Sequence, residues 1–503
     1  MTTVERRLTQ QELESYLWGA ATLLRGLVDA SDYKQYVFPL LFFKRLSDVW
    51  DEEHAQALQD TGDDGYATAV ANDRFQIPSG AHWSDVREVS RDVGRALLTT
   101  FRSIEQKNPE RLSGVFGNAP WTDKAQLPDE TLKNLIEHFS KRTLSLALVP
   151  EDELGNGYEY LIKQFADDSG HTAQEFYTNR TVVHLMTQML QPVPGELIYD
   201  PTCGTGGMLI SALADVKSRG GDHRTIGLYG QELIGITAAI ARMNLVLHGV
   251  EDFHIATGNT LASPAFLEGD RLKTFDVVLA NPPYSIKKWN RESWLQDPWG
   301  RNFLGTPPQG RADYAFLQHI LNSLDPRTGR CAVLFPHGVL FRQEEAAMRR
   351  QLIELDLLEC VLGLGPNLFY NSPMEACIVI CRTAKPADRR GKVLFINALN
   401  EVTRENAQSF LRPAQQERIA AAYRAFRSET GFAAVSDANQ ILERDGNLSI
   451  PLYVRKVSSR SNGAESTLAD AWDAFEQDRP AFWKQMSDLT DLLRDVSTES
   501  DRG

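Results

Sequence analysis

Four consecutive residues, Asn281-Pro282-Pro283-Tyr284, set two hydrogen-bond acceptors beside a flat aromatic ring. They follow Phe275-Asp276-Val277-Val278-Leu279-Ala280, a short apolar run that reads as a buried parallel strand. Two prolines stop the ladder and fix the backbone direction at the strand's carboxyl end. In open α/β sheets that end is where ligands sit. The Asn281 side-chain oxygen and the Pro282 carbonyl can both accept hydrogen bonds there, and Tyr284 can stack on a planar group. The arrangement suits a flat substrate with an exocyclic amino group, such as adenine. A Pro-Pro loop closed by an incidental aromatic is the plain structural alternative, and four residues alone do not decide between the two.

A second motif lies upstream. Leu197-Ile198-Tyr199-Asp200-Pro201-Thr202-Cys203-Gly204-Thr205-Gly206-Gly207-Met208-Leu209 reads as a strand, a glycine-rich turn and a helix start. Glycines in such a turn allow a tight reversal and let a ligand approach the backbone closely. The run lacks the G-x-G-x-x-G dinucleotide fingerprint, and no GK[ST] triphosphate loop is present. Ile226-Gly227-Leu228-Tyr229-Gly230-Gln231-Glu232 is a further strand with an acid at its tip. A carboxylate there can hold both hydroxyls of a ribose, and it also suits a helix N-terminus electrostatically. The two roles of Glu232 are compatible. Glycine turn, tip acid and Asn-Pro-Pro-Tyr, in this order, are far more specific together than any one of them.

With these motifs the chain resembles class I, S-adenosylmethionine-dependent amino-methyltransferases of DNA adenine. More narrowly, it resembles the modification (methylase) subunit of type I restriction–modification systems. The resemblance extends over nearly the whole chain. It includes Leu17-Trp18-Gly19-Ala20-Ala21 with Leu41-Phe42-Phe43-Lys44-Arg45-Leu46-Ser47-Asp48, Glu175-Phe176-Tyr177-Thr178, Gly310-Arg311-Ala312-Asp313-Tyr314-Ala315-Phe316, and Asn447-Leu448-Ser449-Ile450-Pro451. It implies a DNA adenine-N6 methyltransferase with Asn281, Pro282 and Tyr284 as catalytic residues and no metal. It implies that Thr178, Asp200, Gly204, Gly206, Glu232 and Asn259 bind S-adenosylmethionine. Thr178 would meet the methionine carboxylate near a helix start at Arg180. Asn179 stands where the family often has proline, and Asn259 where many relatives carry aspartate. Asn259 can accept a hydrogen bond from the cofactor's adenine or cap its own loop. Tyr314 and Phe316 either line the pocket or belong to the core.

The resemblance further implies that a separate specificity subunit chooses the DNA sequence, that two copies of this chain serve one such subunit, and that a motor nuclease joins them for restriction. The charge agrees. A net charge of −14 is unusual for a chain that grips DNA alone and fits one that borrows its grip from a partner. The Lys287-Lys288-Trp289-Asn290-Arg291 cluster can touch phosphates or form a solvated basic loop.

A length of 503 residues predicts two or three domains. No apolar stretch approaches the roughly 20 residues that a membrane span needs. Met1-Thr2-Thr3-Val4-Glu5-Arg6-Arg7 is not followed by an apolar core, so a cytoplasmic protein without a secretory signal is expected. Five scattered cysteines form no CxxC pair, which predicts free thiols in a reducing compartment. Cys203, in the glycine turn, reads best as a small filler.

Positioning these motifs requires an α/β fold, a Rossmann-like doubly wound and mostly parallel sheet with one antiparallel edge strand. An N-terminal all-helical domain and a C-terminal helical extension flank it. Leu13, Leu17, Ala20-Ala21 and Leu24 follow helical spacing, which with turn signals at 62–65 and 77–80 predicts a helical domain over 1–150. Strands then alternate with helices through the catalytic domain, 151–400. Candidate strands are 253–256, 331–335, 357–364, 376–381 and 393–396; candidate helices are 180–190, 206–215, 233–247, 312–324 and 343–355. The late strands follow one another too closely for helical crossovers, hence the antiparallel edge. Beyond 400 the pattern turns helical again, with a segment 401–456 expected to pack on the catalytic domain. After the polar stretch 457–463, Leu468, Trp472, Phe475, Phe482, Met486, Leu489, Leu493 and Val496 mark 464–503 as a helical arm. It reads as a docking arm for a partner's helices, with a hairpin packed on its own domain as the alternative.

Methylation of an RNA base or a protein glutamine would use the same loop geometry. A non-catalytic assembly subunit of a defence complex is a third class, disfavoured by the intact Asn281, Glu232 and glycine turn.

Overall fold

The computed structural model describes residues 6–168, 178–284, 286–368, 375–405 and 408–454. The expected arm, 464–503, and the Glu175–Tyr177 part of the motif before Thr178 lie outside them.

The first part of the chain is helical, including Gln10–Thr22, Lys34–Thr61, Val93–Lys107, Asp129–Phe139 and Glu151–Asp168. The Thr9 side chain and Glu12 form a capping box that starts the first of these. Gly62, at φ 70°, ends the second. The helices share a core of Leu17, Phe38, Phe42, Phe101, Phe116 and Tyr158. The polar half of the 41–48 motif is consumed within this core. Lys44 pairs with Asp48, and Asp48 accepts a 2.6 Å hydrogen bond from the Leu144 N–H. Arg45 donates to the carbonyls of Leu144 and Val149. These groups pin the long helix to the segment that leads into the Glu151–Asp168 helix, a structural duty.

The strands are β1 Leu197–Asp200, β2 Gly227–Glu232, β3 Phe253–Thr257, β4 Leu267–Glu268, β5 Arg271–Leu272, β6 Val277–Ala280, β7 Arg330–Pro336, β8 Leu358–Leu364, β9 Ala376–Arg382, β10 Lys392–Ala398, β11 Thr403–Glu405, β12 Gln408–Phe410 and β13 Ala433–Asp437. Nine of them form one sheet in the order β13-β10-β8-β9-β7-β6-β1-β2-β3, while β4–β5 and β11–β12 are separate two-stranded ribbons. Strands β6, β7 and β8 are buried throughout, as their unbroken apolar runs require of strands covered on both faces.

The sheet is mostly parallel with an antiparallel strand, β13, at one edge, as expected, but a second antiparallel strand lies inside it. Strand β9 runs antiparallel between β7 and β8. The helix Ala346–Glu354 carries the chain across from β7 and leaves a gap, which β9 then fills by a short return from β8. Strand β10 is parallel to β8. The edge strand is β13, antiparallel to β10 and drawn from residues expected to be helical. Its five residues are too few to show a period, and its place is set by pairing with β10.

Helices Arg180–Leu190, Gly207–Ser218, Gly235–Leu247 and Asp313–Asn322 connect or flank the strands. Strand order reverses between β1 and β6, which are parallel neighbours. At such a reversal the flanking connections leave toward opposite faces and open a crevice at the carboxyl ends. Asp200 ends β1 and Asn281 follows β6, so the two motifs meet there.

Candidate active site

An open cleft of about 440 Å³, its solvent-filled mouth included, occupies this crevice, lined among others by Thr178, Arg180, Asp200, Gly204, Gly207 and Asn281. Asn281 is half-buried. Its Nδ2 donates a 2.9 Å hydrogen bond to Thr178 Oγ1, and its Oδ1 accepts one of 2.7 Å from the Tyr284 hydroxyl. Both ends of the amide are therefore fixed. Thr178 and Asn281 are 103 residues apart in sequence and touch. Asn179 caps the Arg180–Leu190 helix, its Oδ1 accepting from the Thr181 N–H at 3.0 Å. The helix start thus survives without proline. Burial against Cys377 and Asp313 holds the Tyr284 hydroxyl well above the usual phenol range, so it acts as a neutral donor.

The glycine turn is built around two acids. Asp200 is 2% exposed and accepts a 2.9 Å hydrogen bond from the Thr202 N–H. Burial, and the neighbouring Glu232 carboxylate, push its pKa up to about 7. Glu232 spans the turn. One oxygen accepts from the Gly204 N–H at 3.0 Å and the other from the Ile234 N–H at 2.9 Å. Gly206 caps the Gly207–Ser218 helix at φ 82°, a conformation that favours glycine. A Cβ on Gly207 would run into the Arg180 guanidinium, which would have to move. Cys203 packs where a Cβ on Gly230 would sit, the small-filler role expected of it.

Chemically, the crevice offers the Asp200 carboxyl, bare backbone at the glycine turn, and an amide presented from the neighbouring strand, while Glu232 braces the turn from outside the cavity lining. Such a site suits a ligand with positive charge, ribose hydroxyls and a flat ring.

Residues 149–462 match the model of the family described as N-6 DNA Methylase, more than half of the chain. The chain belongs to that family. Residues 13–139 of this methylase match the model described as the HsdM N-terminal domain, over the helices described above. It is 32% identical to the HindI type I restriction enzyme methylase subunit of Haemophilus influenzae, over 64% of this chain and 75% of that protein. It is 30% identical to the MjaVIII methylase subunit of Methanocaldococcus jannaschii, over 90% of this chain and 79% of that one. Among solved structures, the methyltransferase subunit of a type I restriction–modification system from Streptococcus thermophilus aligns with a TM-score of 0.77 and 31% identity, covering 89% of this chain and all of that one.

Other candidate residues of the methylase fall differently. The Asn259 Oδ1 accepts from the backbone N–H groups of Leu261 and Ala262 at 3.0 and 3.1 Å, the loop-capping role. Tyr314 and Phe316 are core residues. Tyr314 donates to the Val339 carbonyl at 3.1 Å, and Phe316 packs with Leu261, Trp289 and Trp294. Of the basic cluster, Lys287 and Lys288 are exposed, while Trp289 is buried and Arg291 donates to the Pro307 carbonyl. All five cysteines are free and buried.

Two arginines escape detection in the sequence. Arg180 lines the cavity itself. A cation at a helix start opposes the dipole, which was its one available signal. Arg301 is 1% exposed and donates to the carbonyls of Thr260 and Leu261 at 3.1 and 2.8 Å while paired with Asp297. Thr260 in turn donates to the Pro201 carbonyl at 2.6 Å. Arg301 therefore ties the segment after the Asn-Pro-Pro-Tyr loop to the glycine turn, through contacts that no local pattern announces.

Proposed function

We propose that this methylase transfers a methyl group from S-adenosylmethionine to the exocyclic N6 of an adenine in DNA, as the modification subunit of a type I restriction–modification complex. The observation that carries the reading is the meeting of Asn281 and Thr178 at the cavity walled by the Asp200 glycine turn. It sets the amine-holding loop beside the cofactor cradle.

S-adenosylmethionine brings an already activated methyl on a sulfonium, so no nucleophilic side chain is needed. What the chain must do is orient and desolvate. Asn281 Oδ1 and the Pro282 carbonyl accept the two amine hydrogens, which loosens the nitrogen lone pair from the ring and stabilises positive charge as it builds there. The Asn281 oxygen has a second lone pair beyond the one that Tyr284 uses. Tyr284 receives the base, which leaves the duplex to reach the site. Asp200 and the Gly204–Gly206 backbone hold the methionine end, Glu232 the ribose, and Thr178 approaches the carboxylate at a helix start. With the Asn259 Oδ1 accepting from two backbone N–H groups, Asn259 would meet the cofactor's adenine as a donor through Nδ2, not as the acceptor expected from the sequence.

Sequence choice falls to a separate specificity subunit, with two copies of this chain per complex and a motor nuclease for restriction. The reading is tested by supplying labelled S-adenosylmethionine to the chain co-expressed with its specificity subunit and duplex DNA. Label in N6-methyladenine that vanishes with Asn281→Ala supports it. Label in RNA or protein glutamine instead contradicts it.

A further inference from the structure

The mechanism above leaves one charged residue of the cavity unused. Arg180 is the only basic residue lining it among the described residues. It opens the Arg180–Leu190 helix, and its guanidinium pairs with Glu159 on the Glu151–Asp168 helix. The same guanidinium lies over Gly207, at the start of the Gly207–Ser218 helix, where any side chain would displace it. A glycine at 207 thus leaves open the place where the arginine head lies. Two helix starts and one guanidinium border the cavity, which Asp200 also lines.

Placing a cation at a helix start is unfavourable by itself, because the dipole and the open N–H groups favour an anion there. The Glu159 carboxylate offsets that cost, and an anion between the guanidinium and the helix ends would add to the offset. The methionine end of the cofactor is a zwitterion. Its ammonium and sulfonium suit Asp200, and its carboxylate suits Arg180. A guanidinium can take both carboxylate oxygens at once, which a threonine hydroxyl cannot.

We propose that Arg180 binds the carboxylate of S-adenosylmethionine, held in place by Glu159 and given its path by Gly207. This deepens, and rests on, the reading of the cavity as the cofactor site. Thr178 then positions Asn281 and contributes at most a secondary contact to the carboxylate.

The test is calorimetric binding of two probes to the full chain, S-adenosylmethionine and its decarboxylated form, which keeps the sulfonium and the amine and lacks only the carboxylate. The wild type is expected to prefer S-adenosylmethionine by about 10- to 100-fold, the worth of a charge-assisted bidentate pair. Arg180→Gln is expected to lose that preference while binding the decarboxylated probe within about twofold of wild type. Arg180→Lys retains the charge and the Glu159 pair, so it guards against a folding defect. It is expected to fall between the two, since an ammonium does not present the fork. Equal weakening of both probes by Arg180→Lys and Arg180→Gln, or a wild-type chain that does not distinguish the probes, overturns the assignment of Arg180. A wild-type chain that binds neither probe overturns the cofactor site itself.

Discussion

The Tyr284 hydroxyl donates a 2.7 Å hydrogen bond to the Asn281 side-chain oxygen, so the residue that offers a stacking ring also orients the amide beside it. With Thr178 Oγ1 accepting from the other end of that amide, Asn281 cannot flip without breaking two hydrogen bonds. Tyr284→Phe keeps the ring and removes one tether. It is expected to lower kcat about tenfold, or ~1.4 kcal/mol, the scale of one hydrogen bond. Affinity for S-adenosylmethionine should not change. An unchanged kcat would show that the tether contributes nothing to the reaction.

Asp200 gives the site a pH dependence. Burial and Glu232 raise its pKa from 3.8 to about 7. A carboxyl whose pKa rises on folding favours the folded state below its unfolded pKa, and that contribution is lost as pH climbs from about 4 to about 7. A cationic ligand favours the ionised form, so S-adenosylmethionine should bind more tightly as pH rises through about 7, releasing a proton on binding at lower pH. Calorimetry in buffers of different ionisation enthalpy measures that proton. Asp200→Asn should flatten the profile; a wild-type affinity independent of pH would place the titration elsewhere.

Arg301 should matter for stability. It is buried with Asp297, donates to two carbonyls, and lies 4.6 and 4.7 Å from the Trp294 and Trp299 ring centroids. Arg301→Ala leaves Asp297 buried without its partner and is expected to cost roughly 3–5 kcal/mol in urea unfolding. A cost below about 1 kcal/mol would mean that the network is surface-like in energy.

Much of this site was legible in the sequence because each motif is local. A strand, a turn and the residue after them fix Asp200, Gly204 and Glu232 within one connection each, and the β1–β6 neighbourhood follows from alternation of strands and helices. Tyr284 was legible as a ring but not as a donor, since nothing in Asn-Pro-Pro-Tyr says where a hydroxyl points. Arg180 and Arg301 were missed for a different reason. Their partners, Glu159 and Gly207 for one and Thr260 and Leu261 for the other, come from elements brought together only by folding. The internal position of β9 is a tertiary outcome of the same kind. Spacing showed that the late strands must reverse, not which neighbours the reversed strand would take.

The arm read from Leu468, Trp472, Phe475 and Phe482 onward gives a fourth expectation. Deleting residues 464–503 should abolish co-purification with the specificity subunit and spare binding of S-adenosylmethionine. Loss of both would make the segment part of the fold rather than a docking arm.

The central claim is tested most directly by modified-base sequencing of DNA from cells that carry this chain with its specificity subunit, compared with cells carrying Asn281→Ala. The expected result is N6-methyladenine at one split recognition sequence in the first and its disappearance there alone in the second. An identical methylation map in the two strains would contradict the account.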